Sequence, residues 1–194
     1  KRIVDLCAAP GGKTAQLILA GAQVTAVDRA PSRMARLKAN LARLKLKAEC
    51  VVADAGEWTC PPCDGVLVDA PCSATGTLRR HPDIAWLKSE DDIASLLDIQ
   101  LKLARHASTL LKSGGTLIYC TCSLEQEEGE NIIAQLLEQD TSLTRRPITA
   151  DEIGWLSQAI NAQGDLRTLP SYLPHDDAQL AGMDGFFAAR LIKN

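Results

Sequence analysis

Two cysteines stand where an α/β protein commonly carries a nucleophile. Cys72 lies in residues 69–73 (DAPCS), and Cys122 lies in residues 121–123 (TCS). Each follows a short apolar run, which predicts a strand whose carboxyl end faces the ligand side of an α/β sheet. A thiolate at that edge could attack an electron-poor carbon, so the pattern favours covalent, nucleophilic catalysis.

A glycine-bearing turn near the start of the chain predicts a nucleotide-like cofactor. Residues 5–14 (DLCAAPGGKT) end the first apolar run, and the glycines at 11 and 12 leave backbone amides open to a ligand. Asp28 ends the second apolar run, 23 residues after Asp5, where a carboxylate can accept hydrogen bonds from both hydroxyls of a ribose. Each feature also has a structural alternative. The glycine turn could be a tight strand-to-helix connection, and Asp28 could cap the helix that follows it.

The spacing of this turn argues against two common cofactor sites. Its glycines do not follow the Gly-x-Gly-x-x-Gly pattern of a dinucleotide site, and no Walker loop is present. We therefore predict S-adenosylmethionine in preference to NAD.

Composition restricts the class of protein. The 194 residues are 46% hydrophobic and 23% charged, which is typical of a globular protein, and we expect one domain over residues 1–194. No apolar run approaches bilayer length and no signal peptide is apparent, so we expect a cytoplasmic protein without a membrane partner. The net charge of −3 argues against a domain that holds nucleic acid by bulk electrostatics alone.

Seven cysteines indicate reduced thiols, because the number is odd and the chain is longer than a small disulfide scaffold. Cys60 and Cys63 have the spacing of half a metal site or of a redox pair. No second pair stands at a zinc-like distance, so we expect a turn there and no metal. Cys50 and Cys120 are predicted to be buried as small hydrophobic residues.

Apolar, β-branched runs alternate with amphipathic segments, which predicts an α/β fold with a parallel sheet. Helices are expected over 32–45 and 94–111, and residues 112–115 (KSGG) should end the second of these. A further helix is predicted over 125–139. Residues 140–174 should be irregular because proline and glycine punctuate them. The predicted strands are 2–6, 24–28, 50–53, 65–69, 116–120 and 185–192.

Three segments carry a resemblance to a known family. Residues 69–84 (DAPCSATGTLRRHPDI), 119–123 (YCTCS) and 184–187 (DGFF) resemble the RNA 5-methylcytosine methyltransferases, in particular the bacterial ribosomal RNA enzymes Sun, Fmu and RsmB. The resemblance implies a Rossmann-like class I S-adenosylmethionine-dependent methyltransferase fold, with a mostly parallel seven-stranded sheet and helices on both faces. It also implies a catalytic domain from a longer protein, whose N-terminal RNA-binding regions are absent here.

The resemblance assigns a role to each candidate residue. Cys122 is the nucleophile that adds to carbon 6 of cytosine, Cys72 assists release of the methylated product, and Asp69 stabilises charge at ring nitrogen 3. Lys13 faces the cofactor or the target base. Residue chemistry alone does not rank the cysteines, because DNA cytosine methyltransferases carry their nucleophile in a Pro-Cys motif. The cofactor-binding residues implied are Cys7, Ala8, Ala9, Pro10, Gly11, Gly12, Lys13, Asp28, Asp54 and Asp69.

Two of these aspartates also have structural interpretations. Asp54 ends the third predicted strand, where related enzymes contact adenine, but it could be a turn aspartate. Asp69 could cap the turn that follows it, and this is compatible with a ligand role because a carboxylate has several acceptor positions.

The loop over residues 78–83 (LRRHPD) supplies the candidate RNA contacts. Arg79, Arg80 and His81 follow the Pro-Cys motif, where phosphates beside a flipped nucleotide could lie. The alternative is that these are solvated surface charges.

We therefore predict an enzyme that methylates cytosine carbon 5 in RNA, with small-subunit ribosomal RNA as the preferred substrate and transfer RNA as the alternative. An exocyclic-amine methyltransferase is disfavoured because Cys72 stands where those enzymes carry Tyr or Phe. An RNA-binding assembly factor would not require both cysteines and Asp69. A nicotinamide-dependent oxidoreductase would share the strand alternation and an acid such as Asp28.

Overall fold

The computed structural model describes residues 1–177 and 180–194, and the chain folds into two compact units. The first contains Lys1–Ala70, Lys102–Tyr119 and Ile192–Asn194, and the second contains Pro71–Leu101 and Cys120–Leu191. The strands are β1 (Arg2–Leu6), β2 (Gln23–Asp28), β3 (Glu49–Val52), β4 (Cys63–Asp69), β5 (Leu111–Thr121), β6 (Leu143–Arg145), β7 (Leu166–Thr168) and β8 (Phe186–Lys193). The helices are α1 (Gly12–Leu19), α2 (Pro31–Arg43), α3 (Ile84–Leu87), α4 (Glu90–Thr109), α5 (Glu130–Gln139) and α6 (Ala150–Ile153). Within the described ranges no helix has both the length and the apolar character needed to cross a bilayer.

The first unit is built on a parallel sheet with β1 between β2 and β4. Leu6 of β1 lies opposite Val27 of β2 and Val68 of β4, and all three side chains are completely buried. Burial on both faces explains why these strands are almost continuously apolar in the sequence. Since the strands are parallel and in register, the residues that follow Leu6, Val27 and Val68 lie side by side at the carboxyl ends of the strands.

Helix α2 packs against this sheet through the apolar stripe that the sequence predicts. It begins at Pro31, whose missing N–H is harmless in a first turn, and it buries Met34, Leu37 and Leu41. These side chains form a core cluster with four small residues of neighbouring segments: Ala8, Ala9, Ala15 and Ala26. The predicted helix over 32–45 is thus confirmed within two residues at each end.

The second unit contains the predicted final strand. β8 pairs with β7 in the antiparallel sense, with Phe187 opposite Arg167. Phe187, Ala189 and Leu191 are completely buried, and the Arg167 guanidinium lies 4.9 Å from the centre of the Phe187 ring.

The predicted boundary between α4 and β5 is wrong. α4 ends at Thr109, and residues 112–115, predicted to end it, already belong to β5. The strand begins early because Cys63 N donates to Leu110 O at 2.9 Å and Lys112 forms an ion pair with Asp64. Pairing of this kind overrides the turn preference of a Ser-Gly-Gly sequence.

Two further predictions need correction. α5 begins at Glu130 and not at residue 125, because Gln126 O accepts hydrogen bonds from Gly129 N and Asn131 N in a preceding turn. The structure contains β6 and β7 within the segment predicted to be irregular, so the described residues form eight strands and not seven. Three-residue strands are too short to give an alternation signal in the sequence.

Gly76 is a point of close backbone contact in the second unit. Its N–H donates to Cys122 O at 2.9 Å, and its own carbonyl accepts from Gly185 N at 2.8 Å. A Cβ atom on Gly76 would lie 2.1 Å from Gly185 O and 2.8 Å from Cys122 O. Only glycine fits there, so this contact holds the loop after Cys72 against the end of β5.

Asp5 is a buried acid in β1. Its side chain is inaccessible to solvent, and its Oδ2 accepts a hydrogen bond from Thr14 Oγ1 at 2.5 Å. Oδ1 has no hydrogen-bond partner among the described residues. Burial raises the pKa of Asp5 from 3.8 to about 7, against the opposing effect of the Thr14 hydrogen bond.

We expect Gly76→Ala to lower the free energy of unfolding by more than about 2 kcal/mol, because overpacked side chains usually cost 1–3 kcal/mol and backbone atoms cannot rotate away. Urea denaturation measures this. Gly12→Ala is the matched control, since a Cβ at Gly12 meets nothing within 4 Å and alanine favours the helix by up to about 1 kcal/mol. Equal midpoints for the two variants would contradict the close contact.

We expect Asp5→Asn to flatten the pH dependence of stability. A carboxyl group with a higher pKa in the folded state keeps its proton better there, so wild-type stability falls as pH rises from about 4 towards 7 and above. The fall is at most roughly 4 kcal/mol, at about 1.4 kcal/mol per pKa unit. Urea midpoints at pH 5 and pH 8 test this, and parallel profiles for the two proteins would be the contrary result.

Candidate active site

The β1–α1 turn brings backbone to the carboxyl edge of the first unit's sheet. Cys7 and Gly11 have φ of 61° and 96°, so the turn is left-handed at both ends. Gly11 is required because of this φ and because a Cβ would lie 2.9 Å from Leu37 Cγ. Gly12 has open space around its Cα. The main chain of the turn is therefore accessible at the start of α1. Backbone N–H groups there can donate hydrogen bonds to the polar groups of a ligand.

Asp28 ties this turn to β2. Its Oδ2 accepts from Ala9 N at 3.2 Å and its Oδ1 accepts from Ala30 N at 3.0 Å. The Arg33 guanidinium lies 3.3 Å from Oδ2, and the Asp28 side chain is 2% exposed. A carboxylate has about four acceptor positions, so the bracing role leaves room for a ribose hydroxyl, and ribose recognition stays a prediction.

Lys13 and Asp69 form an ion pair in the first unit. Lys13 Nζ lies 2.8 Å from Asp69 Oδ2, and the side chains are 36% and 35% exposed. Lys13 belongs to the first turn of α1, and Asp69 is the last residue of β4. Parallel pairing of β1 with β4 brings together two groups that are 56 residues apart in the sequence.

Asp54 is exposed two residues after the end of β3. Its Oδ1 accepts from Gly56 N at 2.8 Å, and its carbonyl accepts from Trp58 N at 2.9 Å. This is the aspartate turn that the sequence allows as an alternative. The exposed carboxylate can still receive a ligand, so an adenine contact stays a prediction.

The two candidate catalytic thiols touch in the second unit. Cys72 Sγ lies 3.5 Å from Cys122 Sγ, and both residues are half-buried. The hydrogen bond with Cys122, followed by burial, raises the pKa of Cys72 far above its usual range. The contact and burial thus oppose ionisation of Cys72, and an S–H group on either sulfur can donate to the other.

Hydroxyl groups lock the two cysteine-bearing loops together. Ser73 Oγ and Ser123 Oγ are 3.2 Å apart, and Thr75 Oγ1 is 3.3 Å from Ser123 Oγ. Thr75 Oγ1 also accepts from Leu124 N at 2.9 Å. Ser73 and Ser123 are completely buried, so the residue after each cysteine is fixed to its counterpart in the other loop.

Arg80 is held by Asp184, the first residue of the segment DGFF. Its Nε donates to both carboxylate oxygens of Asp184, at 3.0 and 2.9 Å. Arg79 and His81 are exposed, and the positive charges of Arg80, Arg79 and His81 lower the pKa of Asp184. The pKa of Arg80 is raised mainly by Asp184 and also by the Cys122 sulfur. The Arg80 charge therefore interacts favourably with the sulfur of the candidate nucleophile, Cys122.

The other cysteines have structural environments. Burial raises the pKa of Cys7 to about 12, and Cys63 and Cys120 are each 2% exposed. Cys50 is partly buried against the core of the first unit. In residues 1–177 and 180–194 there is no disulfide, and no cluster of three or more His, Cys, Asp or Glu side chains is placed to bind a metal.

A cavity of about 770 Å³ lies elsewhere in the first unit. Its lining includes Arg2, Gln23, Trp58 and Cys60, and the first two stand at the beginnings of β1 and β2. It is therefore at the opposite edge of the sheet from the turn and aspartates described above.

Sequence reasoning missed several residues that the structure places beside the candidates. Glu128 and Gln100 are completely buried and bind the loop that carries Cys72. Asp184 holds Arg80. The run EQEEGE around Glu128 contains four acids, and nothing in the sequence distinguishes the fully buried one from the other three. Only the family-like DGFF segment pointed towards Asp184.

Comparison with known proteins shows the family of the chain. Residues 1–192 match the family model of the 16S rRNA methyltransferase RsmB/F. The chain is 38% identical to the ribosomal RNA small subunit methyltransferase B of Pectobacterium carotovorum subsp. carotovorum (strain PC1), over 100% of this chain and 42% of that protein. It is 42% identical to the protein of the same name from Enterobacter sp. (strain 638), over 98% of this chain and 42% of the relative.

Solved structures show the same fold. PH0851 is 33% identical with a TM-score of 0.82, and the match covers 100% of this chain and 42% of that one. NSun6 from Pyrococcus horikoshii, solved with SFG, is 27% identical with a TM-score of 0.78, and the match covers 100% and 49%. The predicted Rossmann-like methyltransferase fold is confirmed, and the chain spans about two fifths of the curated relatives it matches. From its motifs, its fold and these matches, this chain belongs to the RsmB/F family of 16S rRNA methyltransferases.

Proposed function

We propose that this chain is the catalytic part of an S-adenosylmethionine-dependent enzyme that methylates carbon 5 of cytosine in small-subunit ribosomal RNA. The observation that carries the proposal is the 3.5 Å contact between Cys72 Sγ and Cys122 Sγ. Such a reaction requires one thiol to add to the base, and a second thiol in contact with it can assist release. Family membership supports a ribosomal RNA substrate, and transfer RNA is the alternative.

The first unit contains a donor set that suits the cofactor. When bound, S-adenosylmethionine supplies a methyl group carried on a sulfonium. The amides of the turn at Gly11 and Gly12 would face its polar groups, and Asp28 and Asp54 would accept from its ribose and adenine. Asp5 Oδ1 is buried and lacks a hydrogen-bond partner among the described residues, which indicates an unused acceptor beside the turn. The NSun6 structure with SFG supports a ligand site in this fold.

Covalent catalysis solves a specific difficulty of cytosine chemistry. Carbon 5 is a weak nucleophile because its electrons are delocalised in the ring. The Cys122 thiolate adds to carbon 6, which makes carbon 5 enamine-like and able to accept a methyl group. Loss of the proton from carbon 5 then re-forms the 5,6 double bond and expels the Cys122 thiolate.

Electrostatics favour Cys122 as the nucleophile over Cys72. Cys72 has its pKa raised by the hydrogen bond to Cys122, by burial and by the nearby Glu128 charge. Arg80, which is paired with Asp184, also interacts favourably with the Cys122 sulfur, and positive charge favours the thiolate, which is the reactive form of cysteine. Cys72 is then placed to donate its S–H to the departing Cys122 sulfur.

Asp69 and Lys13 complete the proposed chemistry. When sulfur adds to carbon 6, negative charge develops towards ring nitrogen 3, and a carboxyl that hydrogen-bonds there would stabilise it. Asp69 precedes Cys72 by three residues, and its pairing with Lys13 at 2.8 Å fixes its orientation. Arg79, Arg80 and His81 remain the proposed contacts for RNA phosphates.

Covalent trapping tests the assignment of the thiols. RNA with 5-fluorocytosine blocks the final elimination, so we expect the parent protein and Cys72→Ala to form a denaturation-resistant adduct in the presence of S-adenosylmethionine. Cys122→Ala should form none, as judged by a shifted band on denaturing gels. An adduct with Cys122→Ala but not with Cys72→Ala would transfer the nucleophile to Cys72, and no adduct with any version would favour a non-catalytic RNA-binding factor.

Cofactor titration tests the first unit separately. We expect Asp54→Ala to weaken S-adenosylmethionine binding about tenfold to a hundredfold, because a hydrogen bond to a charged group contributes about 1.5–3 kcal/mol. Isothermal titration calorimetry measures the affinity. Glu57→Ala is the matched control, an exposed acid whose carboxylate pairs with Lys102 at 3.0 Å. Equal affinities for the parent and both variants would disprove the role of Asp54.

A further inference from the structure

The Glu128 carboxylate is completely buried in the second unit and grips the residue after Cys72. Ser73 N donates to Glu128 Oε1 at 2.9 Å and to Oε2 at 3.2 Å, and Ser73 Oγ donates to Oε2. A single carboxylate therefore fixes both the backbone and the side chain of Ser73.

Gln100 links Glu128 to the residue before Cys72 by hydrogen bonds. Its Nε2 donates to Glu128 Oε1 at 2.9 Å and to Pro71 O at 2.8 Å. Gln100 belongs to α4 and is completely buried. The peptide units on both sides of Cys72 are thus anchored to one buried acid and its amide partner.

Holding a loop with a buried carboxylate costs free energy of desolvation. Removing such a group from water costs several kcal/mol unless hydrogen bonds replace its hydration, and an apolar side chain of similar volume would often stabilise the fold as well. A carboxylate does, however, select one arrangement of the donors around it and places negative charge near Cys72. That charge contributes to raising the pKa of the Cys72 thiol.

We propose that Glu128 is a positioning residue for product release: with Gln100, it holds the Cys72 thiol against Cys122. The role of Cys72 in release rests on the proposed function. Solvent water takes the carbon 5 proton, the C–H electron pair re-forms the 5,6 double bond, and the carbon–sulfur bond breaks with its electron pair leaving on Cys122 as a thiolate. The Cys72 S–H, 3.5 Å from that sulfur, donates a hydrogen bond to the departing thiolate.

The first test is accumulation of the covalent intermediate on RNA with ordinary cytosine, in the presence of S-adenosylmethionine. Cys72→Ala should accumulate a denaturation-resistant adduct because release is impaired. We expect Glu128→Ala and Glu128→Gln to accumulate it too, with release slowed about a hundredfold, as is typical for a misplacement of about 1 Å. Gln100→Leu should give the same defect in weaker form, because it removes the bridge to Pro71 and one donor to Glu128 but leaves the hydrogen bonds from Ser73 to Glu128.

Asp165→Asn is the matched control. Asp165 is another completely buried carboxylate of the second unit. Its carboxylate pairs with Arg145, its backbone carbonyl accepts from Asn161 N, and neither partner belongs to the loop that carries Cys72. We expect this variant to lower the thermal unfolding temperature without accumulating adduct. Adduct accumulation by Asp165→Asn to the level of Glu128→Gln would show a general folding defect and would overturn the positioning role.

The second test measures the reactivity of the Cys72 thiol without RNA or cofactor. Its result therefore separates the positioning role of Glu128 from the proposed function. Alkylation of Cys72 by iodoacetamide, followed by peptide mass spectrometry, should be several-fold faster in Glu128→Gln, because the loop that holds Cys72 is released and the negative charge that opposes its ionisation is removed. An unchanged rate together with normal product release would overturn the proposal. If Cys72→Ala itself accumulates no adduct, the proposed function fails, whereas faster alkylation would still establish that Glu128 controls the Cys72 thiol.

Discussion

The parallel, in-register pairing of β1 with β2 and β4 is the constraint on which the first unit's site depends. Leu6, Val27 and Val68 are buried side by side, so a slip of one residue would turn apolar side chains away from the core. This register places the turn after β1 beside Asp28 and Asp69. The contacts of Lys13 with Asp69 and of Ala9 N with Asp28 follow from it.

The second unit positions its candidate catalytic thiols in a different way. No regular strand pairing holds Cys72, which lies in a loop, so its position depends on polar contacts made by neighbouring residues. Gly76 ties the loop to the carbonyl of Cys122, and Glu128 holds Ser73. The Glu128 charge contributes to raising the pKa of Cys72, and Arg80 interacts with the Cys122 sulfur.

The parts of the fold that could be predicted are those with a strong local signal. β1 was predicted at its observed bounds, and α2 within two residues, because their apolar residues have the periodicity of a buried strand and an amphipathic helix. The start of α5 was not predictable, because a turn at Gln126 and the burial of Glu128 replace helix in a segment with good helical propensity. The contacts that decide this are far apart in sequence, so local preference cannot reveal them.

The sequence by itself determined the α/β class, the candidate thiols in DAPCS and TCS, and the glycine turn with its aspartates, because each of these depends on residue type and short-range spacing. Only the tertiary structure decided that the sulfurs of Cys72 and Cys122 are in contact, that Arg80 is paired with Asp184, and that one acid of a charged run is buried. The physical reason is that these are interactions between segments 28 to 104 residues apart. Their existence depends on packing, which no local pattern records.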